Sequence, residues 1–326
     1  MSRRSILVSL LLTLAAVSAA AQHFSDWSAP VHLSTPNSVG TETAPCLSNN
    51  GLSLYFACSD CPGGLGGNDI YISRRATVDD LWGPPENLGP TVNSAYSEAN
   101  PSLSIDGHSM YFASNRPDGY GGNDLYVSRR HNKRDDFGWR LPENLGPAVN
   151  TSANEAQASL FEDEETGNTF LYLSSNRPGG MGGDDIYVSM LQPDETFGPA
   201  LLVPQLSSIG DDRGPDLRRD GLEIFFTSNR PGSLLNLKGL PSYDVWTATR
   251  PSTADLWSTP VSVDPFGSIG INTGKHDGGP ALSFDATTMY FQAAQRSENF
   301  GVGCPAAATC FFDIWVSTRT KLPDDE

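Results

Sequence analysis

An all-β fold, a five-bladed β-propeller of four-stranded antiparallel blades, is predicted by three observations on this 326-residue chain. A Pro followed two residues later by Leu stands at Pro45, Pro101, Pro215 and Pro280, and Ala158 takes the same place in the third unit, at spacings of 56, 57, 57 and 65. A fixed period of this length is the mark of a repeat architecture. Each unit carries the same succession of short strand signals with turn residues between them, which describes one propeller blade. Finally, the two ends of the chain complement each other, as a closed ring requires.

The elements follow in order. The aligned Pro marks the first strand of each unit. Tight turns such as Asn50-Gly51, Asp106-Gly107 and Asp220-Gly221 follow it, supplying the positive φ that a hairpin needs. A second strand is read from Leu54-Tyr55-Phe56, Met110-Tyr111-Phe112, Leu171-Tyr172-Leu173, Ile224-Phe225-Phe226 and Met289-Tyr290-Phe291. After a Gly-rich loop comes a third: Asp69-Ile70-Tyr71, Asp124-Leu125-Tyr126, Asp185-Ile186-Tyr187, Asp244-Val245-Trp246 and Asp313-Ile314-Trp315. A fourth is marked by Trp82, Pro85 and Leu88, by Trp139, Pro142 and Leu145, by Trp257, Pro260 and Val263, and in shortened form by Phe197, Pro199 and Leu202. The last unit stops after its third strand, whereas Trp27, Pro30 and Leu33 have the spacing of the missing fourth. The N-terminal strand is therefore expected to complete the last blade and hide two sheet edges. One propeller domain spans 22–326.

Residues 1–21 read as a secretory signal peptide, with basic Arg3 and Arg4, an apolar run from Ile6 to Val17 and an Ala19-Ala20-Ala21 cleavage site. The run is too short for a membrane span, so no membrane insertion is expected and the destination is periplasmic or secreted. Against 38 Asp and Glu stand 21 Lys and Arg, a net charge of −17 that loss of Arg3 and Arg4 deepens. This excess argues against nucleic acid, whose phosphates need basic contacts, and leaves cations and neutral glycans open. Of the five cysteines, Cys58 with Cys61 and Cys304 with Cys310 form two local disulfides in the simplest reading, leaving Cys46 unpaired. Cys58-x-x-Cys61 lacks the helix that a thioredoxin-like redox motif requires.

The strings Pro-x-Leu-Ser-x-Asp-Gly, Tyr-Phe-x-Ser-Asn-Arg-Pro and Gly-Gly-x-Asp-Ile-Tyr resemble the WD40-like, or PD40, repeats of TolB-type propellers, most closely in units two and three. That resemblance implies a propeller that binds other molecules through a repeat with no known catalysis; a monomer that engages an envelope or extracellular protein or a glycan is expected.

Three residues before each aligned position stands an acid: Glu42, Glu98, Glu155, Asp212 and Asp277. Units two to five add Arg116, Arg177, Arg230 and Arg296. A structural reading has each arginine bridge the strand-one acid to the strand-three Asp of its blade (Asp124, Asp185, Asp244, Asp313), pinning the loop between them. Departures from symmetry point to function. Unit one has Cys58-Ser59-Asp60-Cys61 in place of Ser-Asn-Arg-Pro, so Glu42, Asp60 and Asp69 lack an arginine and are a candidate calcium set. Units four and five have enlarged loops, Pro231 to Tyr243 and Ser297 to Phe312. Beneath them Lys275, His276 and Asp277, with Asp212, Arg213 and Glu42, form a candidate ligand site. No other cofactor is called for.

The first expectation for function is a non-catalytic binding or scaffold propeller. The alternatives are a glycosidase-like carbohydrate-active enzyme with carboxylates at the channel mouth, and a calcium-stabilised scaffold. Gly-x-Ser-x-Gly and His-Glu-x-x-His signatures are lacking.

Overall fold

A computed structural model describes residues 22–294 and 312–323. The signal segment, Arg296, Cys304, Cys310 and most of the enlarged unit-five loop lie outside the described residues. Among the described residues, twenty strands form five four-stranded antiparallel sheets. Strand β1 (Val31–His32) comes first. Blade one then holds β2 (Thr41–Leu47), β3 (Ser53–Ser59), β4 (Asn68–Arg74) and β5 (Glu86–Asn87). Blade two holds β6 (Glu98–Leu103), β7 (Ser109–Ser114), β8 (Asp124–Arg129) and β9 (Glu143–Asn144). Blade three follows with β10 (Glu155–Glu162), β11 (Thr169–Ser175), β12 (Asp185–Met190) and β13 (Leu201–Leu202). Blade four has β14 (Asp212–Leu217), β15 (Glu223–Ser228), β16 (Asp244–Thr249) and β17 (Val261–Ser262). In blade five, β18 (Asp277–Leu282), β19 (Thr288–Ala294) and β20 (Phe312–Thr318) are completed by β1, which pairs antiparallel with β20 through Val31 and Val316.

The second strands are apolar along nearly their whole length because both of their faces pack against neighbouring blades. Tyr55 and Phe56 on β3, like Phe225 and Phe226 on β15, are fully buried. One apolar cluster fills each gap between blades: Phe112 and Tyr126 meet Tyr55 and Ile72, and Leu54 and Tyr71 meet Tyr290 and Ile314 across the closure.

The aligned Pro has a structural cause. In all five innermost strands the register slips beside it: between Thr43 and Cys46, Ala99 and Ser102, Ala156 and Ser159, Arg213 and Asp216, and Gly278 and Ala281. The preceding residue is left-handed each time: Ala44, Asn100, Gln157, Gly214 and Gly279 have φ between 50 and 58°. A β-bulge bends the strand and frees a residue from the ladder, so Pro costs no hydrogen bond there. These kinks line the central channel around a cavity of about 80 Å³.

Two further repeats hold the blades. Asn93 accepts the Ile70 N–H at 2.8 Å and donates to the Ile70 carbonyl at 2.9 Å. Asn150 does the same to Leu125, Asn272 to Val245 and, across the closure, Asn37 to Ile314. Ser207 stands in for Asn in blade three and accepts only the Ile186 N–H. Beyond the third strand, Arg75, Arg130 and Arg250 stack at 4.3 Å on Trp82, Trp139 and Trp257, and Arg319 lies 4.5 Å over Trp27. Each donates Nε to a hairpin carbonyl, of Gly51, Gly107, Gly221 or Ala286. In blade three the pair is replaced by apolar Leu191 and Phe197.

Candidate functional site

The acids at the start of the innermost strands, Glu42, Glu98, Glu155, Asp212 and Asp277, are all completely buried. Glu98 takes the Ser94 N–H and hydroxyl, the Ser114 hydroxyl and Arg116 Nη2 at 3.1 Å. Glu155 with Arg177 at 3.2 Å and Asp212 with Arg230 at 2.6 Å repeat the pair. Each guanidinium also donates to a loop carbonyl, Val92, Val149 or Leu206.

The strand-three acids have other partners. Asp124 accepts the N–H groups of Tyr120 and Gly121, Asp185 those of Met181 and Gly182, and Asp244 that of Leu234 and the Ser242 hydroxyl. The expected bridge from one arginine to both acids is thus corrected. Each guanidinium lies over an aromatic ring instead: Arg116 is 4.9 Å over Tyr126 and Arg177 is 4.7 Å over Tyr187. Asp313 instead meets His32 Nε2 at 3.2 Å.

Symmetry breaks one step outward, on the face where first and third strands both begin. Just before the buried acid stand Thr41, Ser97, Asn154, Asp211 and His276. Just before the strand-three Asp stand Asn68, Asn123, Asp184, Tyr243 and Phe312. In blades one and two these positions join neighbours by neutral bonds, from Asn68 to the Ser97 hydroxyl and from the Asn123 N–H to Asn154. In blades three to five they form a charged and aromatic cluster. Arg213 Nε lies 2.6 Å from Asp184 Oδ2, an ion contact rather than an aligned hydrogen bond, and its Nη2 lies 3.3 Å from Asp211 Oδ2. The guanidinium stacks 5.0 Å over Tyr243, whose hydroxyl donates to Asp211. His276 stacks on Tyr243 at 4.4 Å and meets Phe312 edge-on at 4.9 Å.

Ionisation at this cluster is uneven. Burial pushes the Asp184 carboxyl up despite the attraction of Arg213, and the charge of Asp211 pushes the same way. Burial would raise Asp211 too, but the Tyr243 hydroxyl and the Arg213 charge prevail and hold it below the usual range. Burial and then the hydrogen bond to Asp211 drive the Tyr243 phenol up to about 12. Burial and then Arg213 bring the His276 imidazole down to about 4, keeping it neutral. Two carboxyl groups sharing one guanidinium, with pKa values pushed apart, can act as a proton donor and a proton acceptor.

The structure thus brings Arg213 and His276 of the sequence-derived ligand set together. Lys275 is exposed beside them, whereas Asp212, Asp277 and Glu42 are buried beneath the mouth. Those three acids cannot touch a ligand there, which corrects their proposed role. The set Glu42, Asp60 and Asp69 is likewise not assembled: Asp60 is exposed, while Asp69 is taken up by the N–H groups of Leu65 and Gly66. Among the described residues, the potential metal-ligating atoms that do cluster around Glu42 are Cys58 Sγ and Cys61 Sγ, all within 4.8 Å, and the two sulfurs are joined in a disulfide. Asp184, Asp211 and Tyr243 were not singled out from the sequence, although the unlike residues flanking each aligned acid signal them.

The ring of five four-stranded blades is a five-bladed β-propeller. The chain is similar to an α-L-arabinofuranosidase from Lactobacillus brevis, at 18% identity over 85% of this chain and 90% of that one, TM-score 0.56. The catalytic domain of a GH62 α-L-arabinofuranosidase from Coprinopsis cinerea follows at 11% identity over 92% and 97%, TM-score 0.55. A thermostable family-43 glycoside hydrolase matches at 12% identity over 91% and 94%, TM-score 0.54. No protein-family model and no curated protein sequence matches. At these identities the likeness is one of fold. It corrects the expected kinship with WD40-like, TolB-type repeats: the motifs behind that resemblance encode a hairpin, a bulge and a loop anchor, which any such blade needs.

Proposed function

We propose that this protein is a glycoside-cleaving enzyme whose site is the channel mouth of blades three to five. The reading that it is a non-catalytic scaffold gives way, because its structural counterparts are glycoside hydrolases. The observation that carries the proposal is the pair Asp184 and Asp211 on Arg213. Glycoside hydrolysis generally needs one carboxyl to protonate the leaving oxygen and a second, ionised, to activate water or attack the sugar. Asp184, pushed up by burial, is the acid. Asp211, held ionised by Tyr243 and Arg213, is the partner. Arg213 sets the spacing of both, and Tyr243, His276 and Phe312 offer ring surface to the apolar face of a sugar. A glycan substrate outside the cytoplasm agrees with a secretory signal, a periplasmic or secreted location and the Cys58–Cys61 disulfide.

The test is hydrolysis of aryl α-L-arabinofuranosides, aryl β-D-xylosides and arabinoxylan by the mature protein. Asp184→Asn and Asp211→Asn are each expected to lower kcat by about 10²-fold or more, with Asp184→Asn also removing the alkaline limb of the pH profile. Absence of turnover across the set, or full activity in both variants, defeats the proposal.

A further inference from the structure

The buried acid of blade one differs from its counterparts. Glu98, Glu155 and Asp212 each have an arginine. Beside Glu42 the chain places the Cys58–Cys61 disulfide instead. Glu42 is fully buried; its Oε1 accepts the Ser38 N–H at 3.0 Å and the Ser38 hydroxyl at 2.5 Å, while Oε2 has no partner. Cys61 Sγ lies 3.4 Å and Cys58 Sγ 3.7 Å from Oε1, and Ser38 Oγ lies 3.3 Å from Cys61 Sγ.

We propose that Glu42, Cys58 and Cys61 form a binding site for a thiophilic divalent cation, Zn²⁺ in the first place, once a dithiol has opened the disulfide. The spacing is right for the ion. Zinc bonds of about 2.3 Å to sulfur and about 2.1 Å to oxygen, at tetrahedral angles, set sulfur and oxygen roughly 3.6 Å apart. The observed separations are 3.4 and 3.7 Å. Two sulfurs on such an ion lie roughly 3.8 Å apart, so the sulfurs must separate when the disulfide opens, and their distances to Oε1 readjust as they do. Cys-x-x-Cys is a common zinc-ligand spacing, and Ser38 Oγ or water completes the fourth position. Glu42 has a cysteine pair where Glu98, Glu155 and Asp212 have an arginine, and the metal supplies the positive charge in its place.

The redox step balances. Two electrons and two protons pass from the dithiol to the cysteine pair, the S–S bond breaks, and the reductant leaves as its own disulfide. Zn²⁺ then displaces the two thiol protons to solvent. The site is separate from the channel-mouth cluster and does not depend on its activity.

The experiment uses mature protein carrying Cys46→Ser, Cys304→Ser and Cys310→Ser, so that Cys58 and Cys61 are the cysteines left. After reduction and anaerobic removal of the dithiol, Co²⁺ is titrated as a spectroscopic probe and displaced with Zn²⁺. The expected result is a thiolate-to-cobalt absorption band saturating at one equivalent, absent in oxidised protein, abolished by Cys61→Ser and weakened at least about tenfold by Glu42→Gln, the loss typical of a ligand-shell change. Should Glu42→Gln not fold, Cys61→Ser decides. No band on reduction, a band that survives Cys61→Ser, unchanged affinity in folded Glu42→Gln, or unfolding on reduction that Zn²⁺ does not reverse would each overturn the assignment.

Discussion

Asp216 tests the account of the channel. It faces the central cavity beside the blade-four bulge, where the other blades carry Cys46, Ser102, Ser159 and Ala281. It accepts the Leu282 N–H at 2.7 Å and stands 3.5 Å from the Ser159 hydroxyl. Burial pushes its carboxyl from 3.8 up to about 7, against the lowering effect of the Leu282 bond. A folded pKa above the unfolded one means that the stabilising contribution is complete below about pH 4 and is lost as pH rises through 7. A shift of roughly 3 units corresponds to at most about 4 kcal/mol, of which about 3 kcal/mol falls between pH 5 and 8. In Asp216→Asn the amide oxygen keeps the Leu282 bond and the NH₂ reaches Ser159, with nothing to ionise. Urea unfolding of both proteins at pH 5 and pH 8 should show the variant gaining about 3 kcal/mol on wild type over that interval. An equal difference at the two pH values would refute the idea of a desolvated carboxyl in the channel.

Other outcomes follow from the same geometry. Arg319 holds Glu223 through two hydrogen bonds, at 3.0 and 2.7 Å, between the closing blade and blade four. Arg319→Ala should cost about 3 kcal/mol in urea unfolding, whereas Arg250→Ala, which loses carbonyl hydrogen bonds and the stack on Trp257 but no bond to a buried carboxylate, should cost less; equal losses would contradict the role given to Glu223. Burial raises the Cys46 thiol to about 12, so it should resist an alkylating reagent in native protein at pH 8 and react on unfolding, as followed by mass spectrometry. His276, depressed to about 4, should show no imidazole titration between pH 5 and 8 by NMR. Because its folded pKa is lowered, its stabilising contribution is present above about pH 6.5 and lost as pH falls toward 4.

The blade count, the strand order and the closure by the N-terminus were legible because the same succession of strand motifs recurs at a nearly fixed period and the two ends of the chain carry complementary parts of it. The reason for the aligned Pro was not, since a bulge depends on backbone register that one strand cannot reveal by itself. Asn93 and its equivalents were within reach, standing a fixed eight residues before each aligned position. At the proposed site, Arg213 and His276 belong to the set singled out beneath the enlarged loops of units four and five. Asp184 and Asp211 were not legible because they stand where the five units differ, each beside an acid that recurs in every blade as buried framework. The expected bridge by Arg116 fails for a related reason: a charge pattern shows which groups can pair, but not that the Tyr120 and Gly121 N–H groups occupy Asp124 while the guanidinium lies over Tyr126.

Pairing Val31 with Val316 also imposes an order in time. A ribosome delivers the outer strand of blade five first and its neighbour β20 nearly last, so four blades can form while β1 waits without a sheet to join. A chain cut short anywhere before β20 leaves the ring open and β1 without its partner, an unpaired edge of the kind that invites association with other chains.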